Sequence, residues 1–398
     1  MLPTYNVVMK RFATDNIESI HSRNCHLNEQ LLEDDVRESM RRDLPNWLQP
    51  LLTNLTAKPY QGEKSYQQTA LSNVWSTFFA LILGICVSDL SVNQSGFYLL
   101  LLPLGWCLTI HGLRKLRLTI VHACSHYSIF EYKKFNIWLG SFISILTLTL
   151  NFKDYQKGHI KAHHSKNLLL PGDETYEYLI TTVGFRLGMT VDEAWRHLMK
   201  TIISPSFYLR RFYSRLKESF FSNSWKHNLL SIAFWSSILI IIVITDSWLV
   251  FLIAWLIPLS IFFETSSLLR QCVEHKFPNT HERDSEILQQ MTAAIFCGER
   301  TPNYDYNTSW IRKFMAWSHW WLRLFFYHLP SRYLILTGDT PCHDWHHRYP
   351  RNLEWSNSIF ERQKDLETGE LGWKYQHSWG LIEAMNKTFE SLSYKQST

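Results

Sequence analysis

The sequence predicts an all-α integral membrane protein, with four transmembrane helices, additional interfacial helices and a cytosolic helical cap. Three observations lead there. Four apolar runs, at about residues 71–88, 97–113, 229–245 and 248–266, approach the ~20 residues needed to cross a bilayer. Basic, polar stretches separate them, so the mean hydropathy of −0.16 averages two unlike compositions. Eight of the 18 histidines stand in three clusters outside the apolar runs, at spacings that share one face of a helix.

Residues 1–70 read as a cytosolic N-terminal segment, polar and nearly balanced in charge. Its apolar stripe of Leu27, Leu31, Val36 and Met40 predicts one amphipathic helix that ends at Pro45 and lies on the membrane or caps the cytosolic part. The first 20 residues lack the apolar core of a signal peptide, so the first transmembrane helix is expected to direct insertion.

Residues 71–365 form the expected membrane domain, and Lys and Arg orient it. The connections at 89–96 and 245–247 contain neither residue, whereas 114–226 and the chain beyond Arg270 are rich in both. Both termini and all histidine clusters are therefore expected on the cytoplasmic side. Trp225 and Trp248, near the ends of the third helix, suit the interfacial belt. Residues 113–127 contain no Gly or Pro, so the second helix should continue past the membrane and carry His122 and His126 just above it. The apolar run at 137–150 is too short to span and is expected to lie shallowly in the interface.

Between 167 and 228 the sequence predicts a long cytosolic insertion broken at Gly172, Gly184, Gly188 and Pro205. Its Arg210, Arg211, Arg215 and Lys217 are expected as a solvated or headgroup-facing surface, with docking of an acidic redox partner as a second reading. The aromatic stretch 310–336, interrupted by Pro330, should run along the membrane surface, and 366–398 reads as a cytosolic tail. The seven cysteines form no C-x-x-C pair, so they are expected to be free thiols, Cys124 and Cys342 included. No nucleic-acid partner is expected.

The first cluster pairs His122 with His126, the second holds His159, His163 and His164, and the third holds His343, His346 and His347. On a regular helix His159 and His163 share a face, while His164 is rotated by roughly 100° and would serve a second metal. Neutral imidazole is a ligand for iron, zinc, copper and nickel. One such cluster is commonly a solvated helix face; three repeats point to metal. His275 directly follows the fourth helix and joins them if that helix ends beside the extension of the second.

The motifs HxxxH at 122–126, HxxxHH at 159–164 and HxxHH at 343–347 resemble the histidine boxes of the membrane fatty acid desaturase and hydroxylase superfamily. The likeness covers roughly residues 70–365, in the same order relative to the apolar hairpins. Relatives carry a further histidine after the fourth helix, which His275 resembles. The resemblance implies two non-haem iron ions held by His122, His126, His159, His163, His164, His275, His343, His346 and His347, with O2 as co-substrate and no catalytic residue separate from the ligands. Nine imidazoles agree with that, since they exceed the four positions of one zinc. Gln271 stands where some relatives place an Asn near one metal, and Asp154, Glu274 and Asp344 are candidates to orient ligand rings.

The activity so implied is O2-dependent oxidation of an unactivated fatty acyl or lipid alkyl chain, desaturation first, with hydroxylation by the same site as the alternative. No His-Pro-Gly-Gly haem motif or iron–sulfur cysteine pattern occurs, so a separate ferredoxin, b-type cytochrome or reductase is expected as electron donor. A histidine-rich metal transporter would need ionisable ligands within the spans, and the clusters lie outside them. A zinc protease would need H-E-x-x-H, which is absent.

Overall fold

The computed structural model describes residues 35–94, 96–278, 284–305, 307–369 and 375–393. Four of its helices are long and apolar enough to cross a membrane: Ala70–Gln94, Gly96–Ser125, Trp225–Thr245 and Trp248–Glu274. Each contains one of the four apolar runs. Their outer faces, such as Trp75, Phe79 and Ile82 on the first and Ile240, Ile241 and Ile244 on the third, are exposed and suit lipid contact. The first two helices approach closely through small residues: a Cβ on Gly84 would collide with Thr109, and one on Gly105 with Ser88.

The second and fourth helices outrun their apolar stretches, and that extension builds the site. The second passes through a π-helical turn at Leu116–Ile120 and resumes as Val121–Ser125, which carries His122 to the tip. The fourth continues to Glu274, and His275 then turns into extended backbone (φ −138°, ψ 148°) paired with Thr292. Arg270, Gln271 and Glu274 thus lie on the helix itself, in its last turns.

The short apolar run becomes the helix Lys133–Leu146, starting and stopping four residues earlier than expected. Its Gly140 lies against the ring of Phe152, where any Cβ would collide. In the N-terminal segment, Val36 and Met40 sit in the helix Val36–Asp43, which ends before Pro45; Leu27 and Leu31 lie outside the described residues. Val36 and Met40 are buried against Leu52, Leu55, Trp320 and Leu324, so this part of the stripe is covered by protein.

The 167–228 insertion folds as the consecutive turns Glu174–Tyr176 and Glu177–Val183, then Val191–Ile202 and Pro205–Phe220. Gly172, Gly184 and Gly188 fall between helices with positive φ, and Pro205 opens the last one. The basic run does not form one solvated face. Arg210 and Lys217 are exposed, but Arg211 and Arg215, one turn apart, point inward to Glu264 at 3.0 and 2.5 Å. Glu264 is fully buried on the fourth long helix, and a buried carboxylate requires such partners.

The aromatic stretch after 310 forms Trp310–Arg323, Leu324–His328 and Ser331–Ile335, with Trp320 and Leu324 inward and Trp310, Phe314 and Phe326 outward. The C-terminal residues read as a tail include the helix Leu381–Ser393, whose Ala384, Met385, Phe389 and Leu392 enter a core shared with the insertion. One small parallel pair, Ala294–Phe296 with His377–Trp379, interrupts the otherwise helical fold among the described residues.

Candidate metal centre

All nine singled-out histidines converge. His122, His126, His159, His164 and His346 form one group and His163, His275, His343 and His347 a second, with the possible ligand atoms of each group within 4.8 Å of one another. The first box comes from the extension of the second long helix, the second from residues 152–164, and the third from the helix His343–Arg348. His275 arrives from the end of the fourth. Its Nε2 lies 3.1 Å from His163 Nε2 and 3.3 Å from His343 Nε2.

The second box divides differently from the helical expectation. His159 and His164 go together, with Nε2 atoms 3.1 Å apart, and His163 is the residue that joins the other group. Residues His159–His163 form a π-helical turn, closed by the His164 N–H donating to the His159 carbonyl at 3.1 Å. That i→i+5 bond widens the turn and aligns positions five apart. Two adjacent histidines are thereby sent to two different groups.

Carboxylates hold the rings from behind. Asp173 Oδ2 lies 3.1 Å from His163 Nδ1, and Glu174 Oε1 lies 3.1 Å from His159 Nδ1. A carboxylate there accepts from Nδ1–H and leaves the Nε2 lone pair free, the tautomer that a metal ligand needs. Glu174 with His159 and His163 also satisfies the spacing of a metal triad; since it shares both histidines with the larger groups, we read Glu174 as orienting. Asp339 Oδ2 approaches His122 Nδ1 at 3.9 Å, and burial pushes the Asp339 carboxyl up to about 6.

The carboxylates picked from the sequence behave otherwise. Asp154 is half-buried, and among the described residues no hydrogen bond or ion pair joins it to a histidine of either group. Its helix turns Tyr155 and His159, four apart, toward the site instead. Asp344 takes both Arg362 nitrogens at 2.8 to 3.1 Å, which pins the helix of the third box but touches no ring. Glu274 sets Oε1 3.1 Å from His343 Nε2, the nitrogen that faces the group, so it does not hold that ring from behind as Asp173 holds His163. Gln271 lines the adjoining cavity, and its buried Oε1 has no partner. Sequence reasoning missed Asp173, Glu174 and Asp339. The only local trace of the first is a turn followed by a helix cap, since Asp173 Oδ1 also accepts from the Thr175 and Tyr176 N–H groups.

The arrangement fits metal ions. Burial, and after it the neighbouring rings, holds His159, His164, His343, His346 and His347 well below the usual imidazole range. Burial with nearby Arg351 lowers His126 to about 4. These six rings are therefore neutral, as ligands must be. Nε2 atoms of the first group face each other at 3.1 Å (His159–His164) and 2.9 Å (His164–His346), while those of His122 and His126 are buried with no hydrogen-bond partner. Lone pairs so gathered and kept from water are costly unless a cation accepts them. Neither Cys124 nor Cys342 belongs to either group; both are free and buried.

A family model described as fatty acid desaturase matches residues 95–358. Comparisons with curated proteins and with solved structures return no match. Because the family match spans more than half of the chain and contains every histidine of the two groups, this membrane protein belongs to the fatty acid desaturase family.

Proposed function

We propose that the chain is a membrane-bound, non-haem di-iron oxidoreductase that uses O2 to oxidise an unactivated carbon of a fatty acyl or lipid alkyl chain, with desaturation as the outcome. The observation that carries this reading is the pair of imidazole groups, five and four rings, with nitrogens converging on two centres. Five donors exceed the tetrahedral set of zinc and suit a larger coordination number. Two bound irons would supply the oxidising power that breaking an alkyl C–H bond requires.

The residues of this chain have the remaining tasks. Asp173 and Glu174 keep protons on Nδ1 of His163 and His159 and so keep Nε2 available. Arg211 and Arg215, bound to Glu264, tie the helix Pro205–Phe220 to the fourth long helix and keep Gln271 and Glu274 turned to the cavity. Arg362 fixes the third box through Asp344. Burial of the rings excludes bulk water from the reacting carbon.

In this reading residues 71–365 are the catalytic membrane domain, and the Lys- and Arg-free connections at 89–96 and 245–247 support a cytoplasmic site and termini. Electrons come from a separate ferredoxin, b-type cytochrome or reductase. The inward Arg211 and Arg215 remove half of the basic surface that would have favoured an acidic docking partner. Profiling lipids of cells with and without the chain, under isotopically labelled O2, tests the proposal. A product two hydrogens lighter and free of label is expected; label in the product reassigns the site to hydroxylation, and no O2-dependent product overturns the proposal.

A further inference from the structure

We infer that the cavity beside the histidines binds the anionic group of the substrate, a carboxylate or a phosphate, so that the carbon attacked lies only a few bonds from that group. As a statement about substrate class, this rests on the oxidation proposed above.

A cavity of about 330 Å³ adjoins His122, His159, His163 and His343. That volume is at the small end of ligand pockets. Its wall is not the apolar tunnel that a long alkyl chain alone would require: Arg114, Arg117, Arg211, Arg215 and Arg270 all face it. The carboxylates on or near the wall are already engaged. Glu264 holds Arg211 and Arg215, Glu274 holds Arg270 through Oε1 while its Oε2 is buried without a partner, Glu174 holds His159, and Glu177 and Glu218 bond to hydroxyl or backbone groups. Among the described residues, neither Arg114 nor Arg117 has a carboxylate within ion-pair reach.

Unused donors point the same way. Arg114 is 1 % exposed, and its Nε and Nη2 have no hydrogen-bond partner, although Nη1 donates to Ser267. Arg117 Nη1 and Arg270 Nε are also buried without partners. A buried guanidinium with free N–H groups is costly, because its charge has neither water nor a full set of partners. Guanidinium donors match carboxylate and phosphate oxygens.

The distance to the metal centre limits the substrate. The Arg117 guanidinium lies 3.8 Å from the centre of the Tyr155 ring, and that ring stacks on His159 at 5.3 Å. Arg270 reaches the second group through a single carboxylate, Glu274, which touches His343. An anion held by Arg114, Arg117 and Arg270 is therefore one side chain away from either group of imidazoles. The separate apolar groove among Ile85, Phe234, Trp235 and Trp255 has no histidine in its lining and presents nothing to the centre. The inference also gives the 167–228 insertion a role, since Tyr178, Thr182, Arg211 and Arg215 form one wall of the cavity.

The test is isothermal titration of the full chain, in phosphatidylcholine nanodiscs, with hexanoate, hexyl phosphate and hexanol. At least one anion is expected to bind about tenfold or more tighter than hexanol, and the tighter anion identifies the group recognised. Arg117→Gln and Arg114→Gln should each weaken anion binding by about tenfold and leave hexanol unchanged. Should the Arg114 variant fail to insert, Arg117, which is partly exposed, and the neutral alcohol still decide. Equal binding of all three probes, no binding, or wild-type affinity in Arg117→Gln overturns the inference. Anion binding without any O2-dependent product would overturn the oxidase reading alone; oxidation of a neutral chain without anion binding would overturn this one alone.

Discussion

Replacing Asp173 by Asn separates the orientation of a ligand from the stability of the fold. Asp173 is fully buried and does two things at once: Oδ1 caps the turn at Thr175 and Tyr176, and Oδ2 faces His163 Nδ1 at 3.1 Å. Asn caps helices as well as Asp does. If Asn keeps its oxygen on the cap, its amide N–H2 faces Nδ1, which must then accept, and the ring proton moves to Nε2. That nitrogen lies 3.1 Å from His275 Nε2, in the middle of the four-ring group, and is blocked as a ligand. Loss of a carboxylate that orients a ligating imidazole typically costs about 10 to 100-fold in metal affinity or activity. If Asn flips instead, the ring keeps its acceptor but the cap is lost, at about 1 kcal/mol of stability. Metal affinity by chelator competition and unfolding midpoint, measured on the same preparation, distinguish the two orientations. The expected result is a drop in metal affinity of about 10-fold or more with little change in midpoint. Wild-type affinity together with a wild-type midpoint would refute the reasoning, because neither of the Asp173 contacts would then matter.

Three further outcomes are expected. His275→Ala should abolish turnover and lower metal content while the protein still inserts, whereas His227→Ala, buried on the third long helix and outside both groups, should leave activity largely intact; near-normal turnover in the His275 variant would mean that eight rings suffice. Glu264→Ala leaves Arg211 and Arg215 unpaired in the interior and should destabilise by about 3 to 5 kcal/mol, read as a lowered denaturation midpoint, with Glu264→Gln milder. Single cysteines at 92 and 246 should label from outside the cell and those at 166 and 350 only after permeabilisation; outside labelling at 166 would divide the histidine boxes between the two faces.

The spans and the histidines were legible because their signals are local. An apolar run is visible in composition alone, and His122 with His126, or His343 with His347, share a face through ordinary helical spacing. His275 was legible only in context, from its position just past the fourth apolar run. The division of the second box was not, because a π-helical turn at His159–His163 is set by packing and leaves no mark on residue spacing. The orienting carboxylates were missed for a related reason. Asp173 reaches His163 by a chain reversal over ten residues, while Asp154, nearer in sequence, falls off the inward face of its own helix. Charge alone also misled at Arg211 and Arg215: a basic run on a helix looks solvated until the opposing Glu264, 49 to 53 residues away, is placed against it.

The most direct measurement of the central claim is metal stoichiometry in the purified full chain, loaded with iron under anaerobic conditions and analysed by mass spectrometry alongside protein concentration. Five and four converging imidazoles predict two iron ions per chain. A single zinc per chain, with activity that survives removal of iron, would contradict it.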